Sequence, residues 1–143
     1  MAGVSSKAVH MSSLLSCLLY TSEMTPDLDT RQIGHIVKQA RELNAIHGIT
    51  GMLVFDGERF AQYVEGPPEA ISLLAAKLAM DIRHHNFRPL LNQALAGERR
   101  FANWAMGYSD ADMGAFDIPA LNGMSADLAL ERFNAGAAAI DSL

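Results

Sequence analysis

The stretch I-T-G-M-L-V-F-D-G-E-R-F-A-Q-Y-V-E-G, residues 49–66, decides how this 143-residue chain is read. Asp56-Gly57 separates two runs rich in β-branched and aromatic residues, a strong β-hairpin signal. Side chains alternate along a strand. On the second arm Phe60, Gln62 and Val64 therefore share one face, while Ala61, Tyr63 and Glu65 take the other. This places the Gln62 amide on the core side. A buried amide without partners costs about 1–3 kcal/mol. Its two ends have opposite hydrogen-bonding polarity, so rotation exchanges donor for acceptor.

Upstream of the hairpin, Asp29 and Gln32 form a capping pair for a helix running to about Ala45, with Gly48 as its stop. The helix carries an apolar stripe of Ile33, Ile36, Val37 and Ala40, and one turn on it puts Asn44 where the next apolar residue belongs. Before it, Leu14 to Tyr20 is apolar on both faces, as a central strand covered on both sides is, and Thr21 to Leu28 reads as a loop. Downstream, Pro67-Pro68 opens a second helix with a buried stripe of Ile71, Leu74, Leu78 and Ile82 and with Asp81 and Arg83 at its end. Pro89 to Leu95 and Asn103 to Tyr108 read as strands. Residues 110–123 read as a loop with one helical turn, and Ser125 caps a last helix with the stripe Ala126, Leu130, Phe133, Ala137 and Ile140.

The order predicts an α+β fold, a ferredoxin-like βαββαββ sheet with two helices on one face and a C-terminal helical extension. In it the first and third strands are neighbours, so Tyr20 and Gln62 meet with Asn44 reaching toward them from the helix above. Residues 1–12 are expected to be a disordered N-terminus, 13–110 the domain and 111–143 the extension. The last helix is expected on the sheet's free face.

Half the residues are apolar, enough for one domain with a real core. The net charge of −5 argues against nucleic acid. Cys17 is the lone cysteine, so no internal disulfide framework exists and a reducing, cytoplasmic setting is expected. No apolar run approaches the roughly 20 residues of a membrane span, and the first ten residues lack the apolar core of a signal peptide. Phosphate-binding loops, dinucleotide fingerprints and nucleophile elbows are absent, so the residues offer no enzyme site. His84-His85, placed at a helix end, point in different directions, and no metal is expected.

Two readings of Tyr20, Asn44 and Gln62 stand at this point. They form a self-satisfied polar cluster, or they face a planar, hydrogen-bonding ligand. An acid at Asp81 opposes the helix dipole unless compensated, which leans toward the second, although a local pair with Arg83 explains it equally.

Five segments bear on the choice: L-L-S-C-L-L-Y-T-S, R-E-L-N-A-I-H-G-I-T-G-M-L-V-F, F-A-Q-Y-V-E-G, M-D-I-R-H-H-N-F and R-R-F-A-N-W-A-M-G-Y. From about Leu14 to Tyr108 they follow the order and spacing of a BLUF domain, and the chain resembles that family of blue-light sensors using FAD. The resemblance implies a flavin between the two helices, with FMN or riboflavin as variants. Tyr20 then matches the light-driven electron and proton donor, and Gln62 the glutamine linking it to the flavin. Asn44 matches the asparagine at the pyrimidine edge, and Asp81, Arg83 and His84 match the segment lining the far edge. Ile36, Val37 and Phe60 are implied as apolar walls. Trp104 and Met106 match the tryptophan and methionine of the output strand. A homo-oligomer, such as a dimer, and a separate protein effector are the implied partners. A flavin-dependent oxidoreductase and a cofactor-free interaction module are the competing classes.

Overall fold

The computed structural model describes residues 14–108 and 117–139. A five-stranded mixed sheet is formed by β1 (Leu15–Met24), β2 (Thr50–Phe55), β3 (Arg59–Gly66), β4 (His84–Leu95) and β5 (Trp104–Tyr108), in the order β4-β1-β3-β2-β5. Two long helices, α1 (Thr30–His47) and α2 (Pro68–Met80), lie between β1 and β2 and between β3 and β4; α3 (Ile118–Leu121) and α4 (Ala126–Ala138) follow β5. The first four strands have the ferredoxin-like arrangement expected from the sequence, and β5 adds to it in parallel beside β2.

Each face of the sheet carries its own core. Leu18, Tyr20, Leu53, Phe60, Val64, Trp104 and Met106 pack with Ile33, Ile36, Val37 and Ala40 of α1 and with Ile71, Leu74 and Leu78 of α2. On the opposite face Cys17, Leu19, Met52, Val54, Ala61 and Tyr63 pack with Ile118, Leu121, Ala129, Phe133 and Ala137. The C-terminal helices thus cover the second face, where the apolar stripe of α4 was expected to go. Within that stripe Phe133 and Ala137 are buried, Ala126 and Leu130 flank the core, and Ile140 lies outside the described residues, as does the expected N-terminal segment 1–12.

Local chemistry accounts for the boundaries. The Asp29 side chain accepts from the N–H groups of Arg31 and Gln32, and Gln32 returns a bond to the Asp29 N–H, a complete capping box. Gly48 ends α1 in the left-handed conformation, φ 70°. Ser125 caps α4 through the Leu128 N–H.

Three expectations are corrected. β1 continues through Thr21 and Ser22 to Met24 instead of ending at Tyr20, because β3 supplies partners down to the hairpin tip, pairing Ser22 with Phe60 and Glu23 with Arg59. Proline-containing loop chemistry begins only after this ladder ends. Second, α2 stops at Met80: Asp81 turns to extended geometry, and Ile82 is 88% exposed instead of completing the buried stripe. Third, β4 starts at His84, not Pro89, so His84 and His85 lie on a strand, where neighbours point to opposite faces. Pro89 is tolerated because β4 is an edge strand.

Gly51 is the position least open to change. Its φ is 152°, and a Cβ there would fall 2.0 Å from the Tyr63 carbonyl oxygen and 2.8 Å from Val64 Cα. Gly51→Ala is expected to cost about 3 kcal/mol or more, from backbone strain plus displacement of β3. Thermal unfolding checks this; a melting curve matching that of the unsubstituted protein would contradict it.

Candidate functional site

β1 and β3 run antiparallel with Tyr20 opposite Gln62. β3 in turn sets Gln62 opposite Leu53 of β2, and β2 sets Leu53 beside Met106 of β5. The register therefore produces a row, Tyr20–Gln62–Leu53–Met106, crossing four strands on the face beneath α1 and α2. One step along, the row is Leu18–Val64–Gly51–Trp104, in which Gly51 contributes no side chain beside the indole.

The Tyr20 hydroxyl donates to Gln62 Oε1 at 2.6 Å, with the residues 3% and 4% exposed. Burial, and then the nearby charge of Asp81, pushes the Tyr20 phenol well above its ordinary pKa. Its ring is wedged by Phe87 at 5.0 Å and meets His84 edge-on at 6.3 Å. The β1–β4 ladder is irregular beside this point, shifting register between Leu19 and Tyr20 and again between Thr21 and Glu23. Such bulges re-aim side chains next to functional sites.

A cavity of about 50 Å³ opens beside Tyr20, walled by Ile36, Leu53, Phe60 and Leu78, with Asp81, Arg83 and His84 at one end. The polar end is organised by the protein itself. Arg83 grips Asp81 with a two-pronged contact, Nη2 to Oδ2 at 2.7 Å and Nε to Oδ1 at 2.9 Å, and extends Nη1 to Gln39 Oε1 at 3.3 Å. It thus ties the end of α2 to α1. Hydrogen bonding from Arg83 holds the Asp81 carboxyl below its usual pKa, and Asp81 raises that of Arg83. The compensation for an acid at this helix end is therefore local. His84 lies 2.7 Å from Ser22 Oγ through Nδ1 and 2.5 Å from the Leu78 carbonyl through Nε2; the carbonyl requires Nε2–H as donor, which leaves a neutral ring's Nδ1 to accept from Ser22. It joins β1 to α2.

Asn44 is carried near the end of α1. It lines a second cavity of about 500 Å³, between the end of α1 and the start of β5, together with Arg41, Thr50, Arg99 and Trp104. The residue is 3% exposed. Trp104 Nε1 is buried with no partner among the described residues, and the Arg41 guanidinium sits 5.7 Å over its ring. Val37 packs in the same core without bordering either cavity. Among the expected residues, then, the structure joins Tyr20 to Gln62 and gathers Ile36, Phe60, Asp81, Arg83 and His84 at one cavity. Asn44 and Trp104 gather at the other, with Met106 in the Gln62 row. No group of three or more metal-ligating side chains occurs among the described residues.

Several contributors escaped the sequence reading. Leu53 and Leu78 are cavity-wall residues, and Phe87 packs on the Tyr20 ring. The burial of Glu65 had a visible signal: it is a lone charge in the otherwise uncharged central run Phe60–Gly66.

Residues 15–107 match the family described as BLUF, sensors of blue-light using FAD. The blue light- and temperature-regulated antirepressor BluF of Escherichia coli K12 is 33% identical over 97 residues, 68% of this chain and 24% of that protein. A photoactivated adenylate cyclase subunit beta of Euglena longa is 31% identical over 102 residues, 71% of this chain and 12% of that protein. The chain thus spans a quarter or less of these curated relatives. Among solved structures, the dark state of the BLUF protein BlrB superposes with a TM-score of 0.62 at 29% identity, covering 69% of this chain and 74% of that one. Klebsiella pneumoniae BlrP1 with FMN and cyclic diGMP gives 0.60 at 32% identity, covering 69% and 26%. This chain belongs to the BLUF family of blue-light sensors using FAD.

Proposed function

We propose that this chain senses blue light through the Tyr20–Gln62 pair, with FAD held between α1 and α2 and the signal leaving through β5 and the C-terminal helices. The observation that carries this reading is the buried 2.6 Å hydrogen bond between a phenol and an amide at the edge of an apolar cavity. The residues fit a flavin. Ile36, Leu53, Phe60 and Leu78 supply apolar surface for a flat ring, with Val37 in the same core, and Asn44 places a nearly buried amide at the second cavity. Asn44 would bond the pyrimidine edge, and Asp81, Arg83 and His84 would border the far edge. These groups face the ring system, which FMN and riboflavin share with FAD.

When bound, the flavin supplies a light-excited oxidant. Tyr20 gives up an electron from its ring and, along the existing hydrogen bond, its proton toward Gln62 Oε1. A phenol is protonated at neutral pH and burial raises its pKa further, so Tyr20 holds its proton in the dark. Return of both leaves no net redox change but leaves the Gln62 amide rearranged, by rotation or tautomerisation, with donor and acceptor ends exchanged. The energy stored is that of a few hydrogen bonds, on the order of a few kcal/mol. It is enough to bias a bistable element. Met106, in the Gln62 row, and Trp104, one row away, begin the output path.

The reading extends to the whole chain as a sensor without an active site of its own, with residues 13–110 as the light-sensing domain and 111–143 as the output extension. It acts as a homo-oligomer, a dimer in the simplest case, on a separate effector protein in the cytoplasm. The antirepressor relative offers a precedent for partner regulation. No described helix is long and apolar enough to cross a membrane.

The visible spectrum of the purified protein is expected to show flavin bands that move slightly to the red after a blue flash and return in the dark. A colourless protein that takes up no flavin would overturn the reading, and lasting bleaching of the bands would favour redox catalysis instead. Gln62→Leu is expected to bind flavin and lose the shift, since leucine has no hydrogen bonds to exchange; Tyr20→Phe is expected to lose it by removing the phenolic proton. A normal photocycle in either would reassign the switch.

Asp81 makes the site acid-sensitive. Its pKa is lowered on folding, so the Arg83 fork stabilises fully above the unfolded-chain value of about 3.9 and is lost as pH falls through the lowered value. For a partly exposed pair the contribution is about 0.2–1 kcal/mol. Asp81→Asn is therefore expected to melt earlier at neutral pH, with the difference shrinking as the pH drops below about 4. A difference that does not vary with pH would contradict this.

A further inference from the structure

β3 presents Gln62 to one face of the sheet and Glu65 to the other. Glu65 is fully buried, yet no cationic side chain hydrogen-bonds its carboxylate among the described residues. Its carboxylate instead collects three donors: the Tyr63 hydroxyl at 2.9 Å on Oε2, and the backbone N–H groups of Arg100 and Phe101 at 2.5 and 2.7 Å on Oε1. An acceptor-only group satisfied by several N–H and O–H donors is a strong, directional clamp. Its grip falls on the segment that leads into β5. The same segment is pinned from Arg99, whose guanidinium reaches the carbonyls of Glu65 and Gly48 at 3.1 and 2.8 Å and Thr50 Oγ1 at 2.8 Å. Three residues beyond the clamp stands Trp104.

The clamp also touches the C-terminal layer. The Tyr63 ring, whose hydroxyl is tied to Glu65, lies 5.7 Å from the ring of Phe101 and 6.2 Å from that of Phe133 in α4. One buried carboxylate thus connects the strand bearing Gln62, the segment that starts β5 and, through Tyr63, the helix on the far face. Gln62 acts within β3. A shift of that strand that leaves the clamp closed must carry residues 100–101 with it, because two backbone N–H groups of that segment are bonded to the Glu65 carboxylate.

We propose that Glu65 is a positioning residue for signal output, coupling rearrangement at Gln62 to β5 and α4 through its hold on Arg100, Phe101 and Tyr63. The assignment rests on the light-sensing reading above. It concerns transmission, not photochemistry: Glu65 lies on the face away from the cavity beside Tyr20, so its removal leaves the switch intact. Carboxylate-specific geometry is what matters. Leucine keeps the bulk of glutamate but accepts nothing. Glutamine keeps one acceptor oxygen for the two N–H groups at reduced strength.

The test is the light-minus-dark difference in amide hydrogen exchange over residues 101–108 and 126–138, measured on the full flavin-loaded chain beside its flash-induced spectral shift. The unsubstituted protein is expected to show a difference in both segments. Glu65→Leu is expected to keep the red shift and lose the difference in both; Glu65→Gln is expected to restore part of it. Arg100→Pro removes one donor N–H at an exposed residue without altering β3, and is expected to weaken coupling in the same way; it carries the test should Glu65→Leu fail to fold. A variant with a normal red shift and an undiminished exchange difference overturns the proposal, as does an unsubstituted protein whose red shift leaves both segments unchanged. Absence of any red shift in the unsubstituted protein overturns the sensor reading itself, a separate outcome.

Discussion

The hydrogen bond from Tyr20 to Gln62 exists because two central strands pair in one register. Both side chains are nearly excluded from solvent, and both must face α1 and α2. A one-residue slip of β1 against β3 would send Tyr20 and Gln62 to opposite faces and bring the Leu19 side chain into the helix layer. That alternative is disfavoured by the apolar groups on either side: Leu18, Phe60 and Val64 fill one core, and Cys17, Leu19, Ala61 and Tyr63 fill the other. Each of these positions votes for the same register. A polar pair that must be aligned to a few tenths of an ångström is thus held by ordinary hydrophobic burial spread over two layers.

This division of labour explains why the polar groups of the molecule are arranged as local closed sets. Arg83 satisfies Asp81 and reaches Gln39; His84 is satisfied by Ser22 and Leu78; Glu65 gathers the donors of Tyr63, Arg100 and Phe101. Each joins elements that burial alone would leave free to slide. The Trp104 indole nitrogen stands apart, a buried donor with no partner among the described residues, and the buried Asn44 borders the same cavity. Buried polar groups are normally paired, so this cavity is where a ligand has most to offer.

Much of this was legible in the sequence wherever a short-range rule acts alone. The Asp56-Gly57 hairpin, the Asp29–Gln32 capping box, the Gly48 stop and the Ser125 cap depend on chemistry within a few residues, and each is present. The meeting of Tyr20 with Gln62 required only strand alternation and the ferredoxin-like strand order. What escaped was set by distant partners. The Thr21–Met24 segment is polar enough to read as loop, but β3 offers it a ladder. His84-His85 looks like a helix end, yet β1 draws it into the sheet. Ile82 has an apolar side chain at helical spacing, but the helix has already ended at Asp81, so spacing no longer governs where it points. Glu65 carries a formal charge on what looked like the lesser face, and only the fold of residues 99–101 explains why it is inside. The placement of Asn44 with Trp104 depends on β5 joining beside β2, a connection across some fifty residues that no local pattern encodes.

The position of β5 has a consequence for how the molecule assembles and loosens. Its partner β2 was made far earlier in the chain, the two run parallel, and no described strand flanks its outer side. Closing so long a connection is entropically slow, so β5 docks late, on a hairpin and helices already in place. An edge strand can also detach by breaking one ladder, whereas any inner strand must break two. The element farthest along the proposed route from Tyr20 is therefore the one the fold can release with least disruption, which puts the softest part of the sheet where a modest input has the greatest effect.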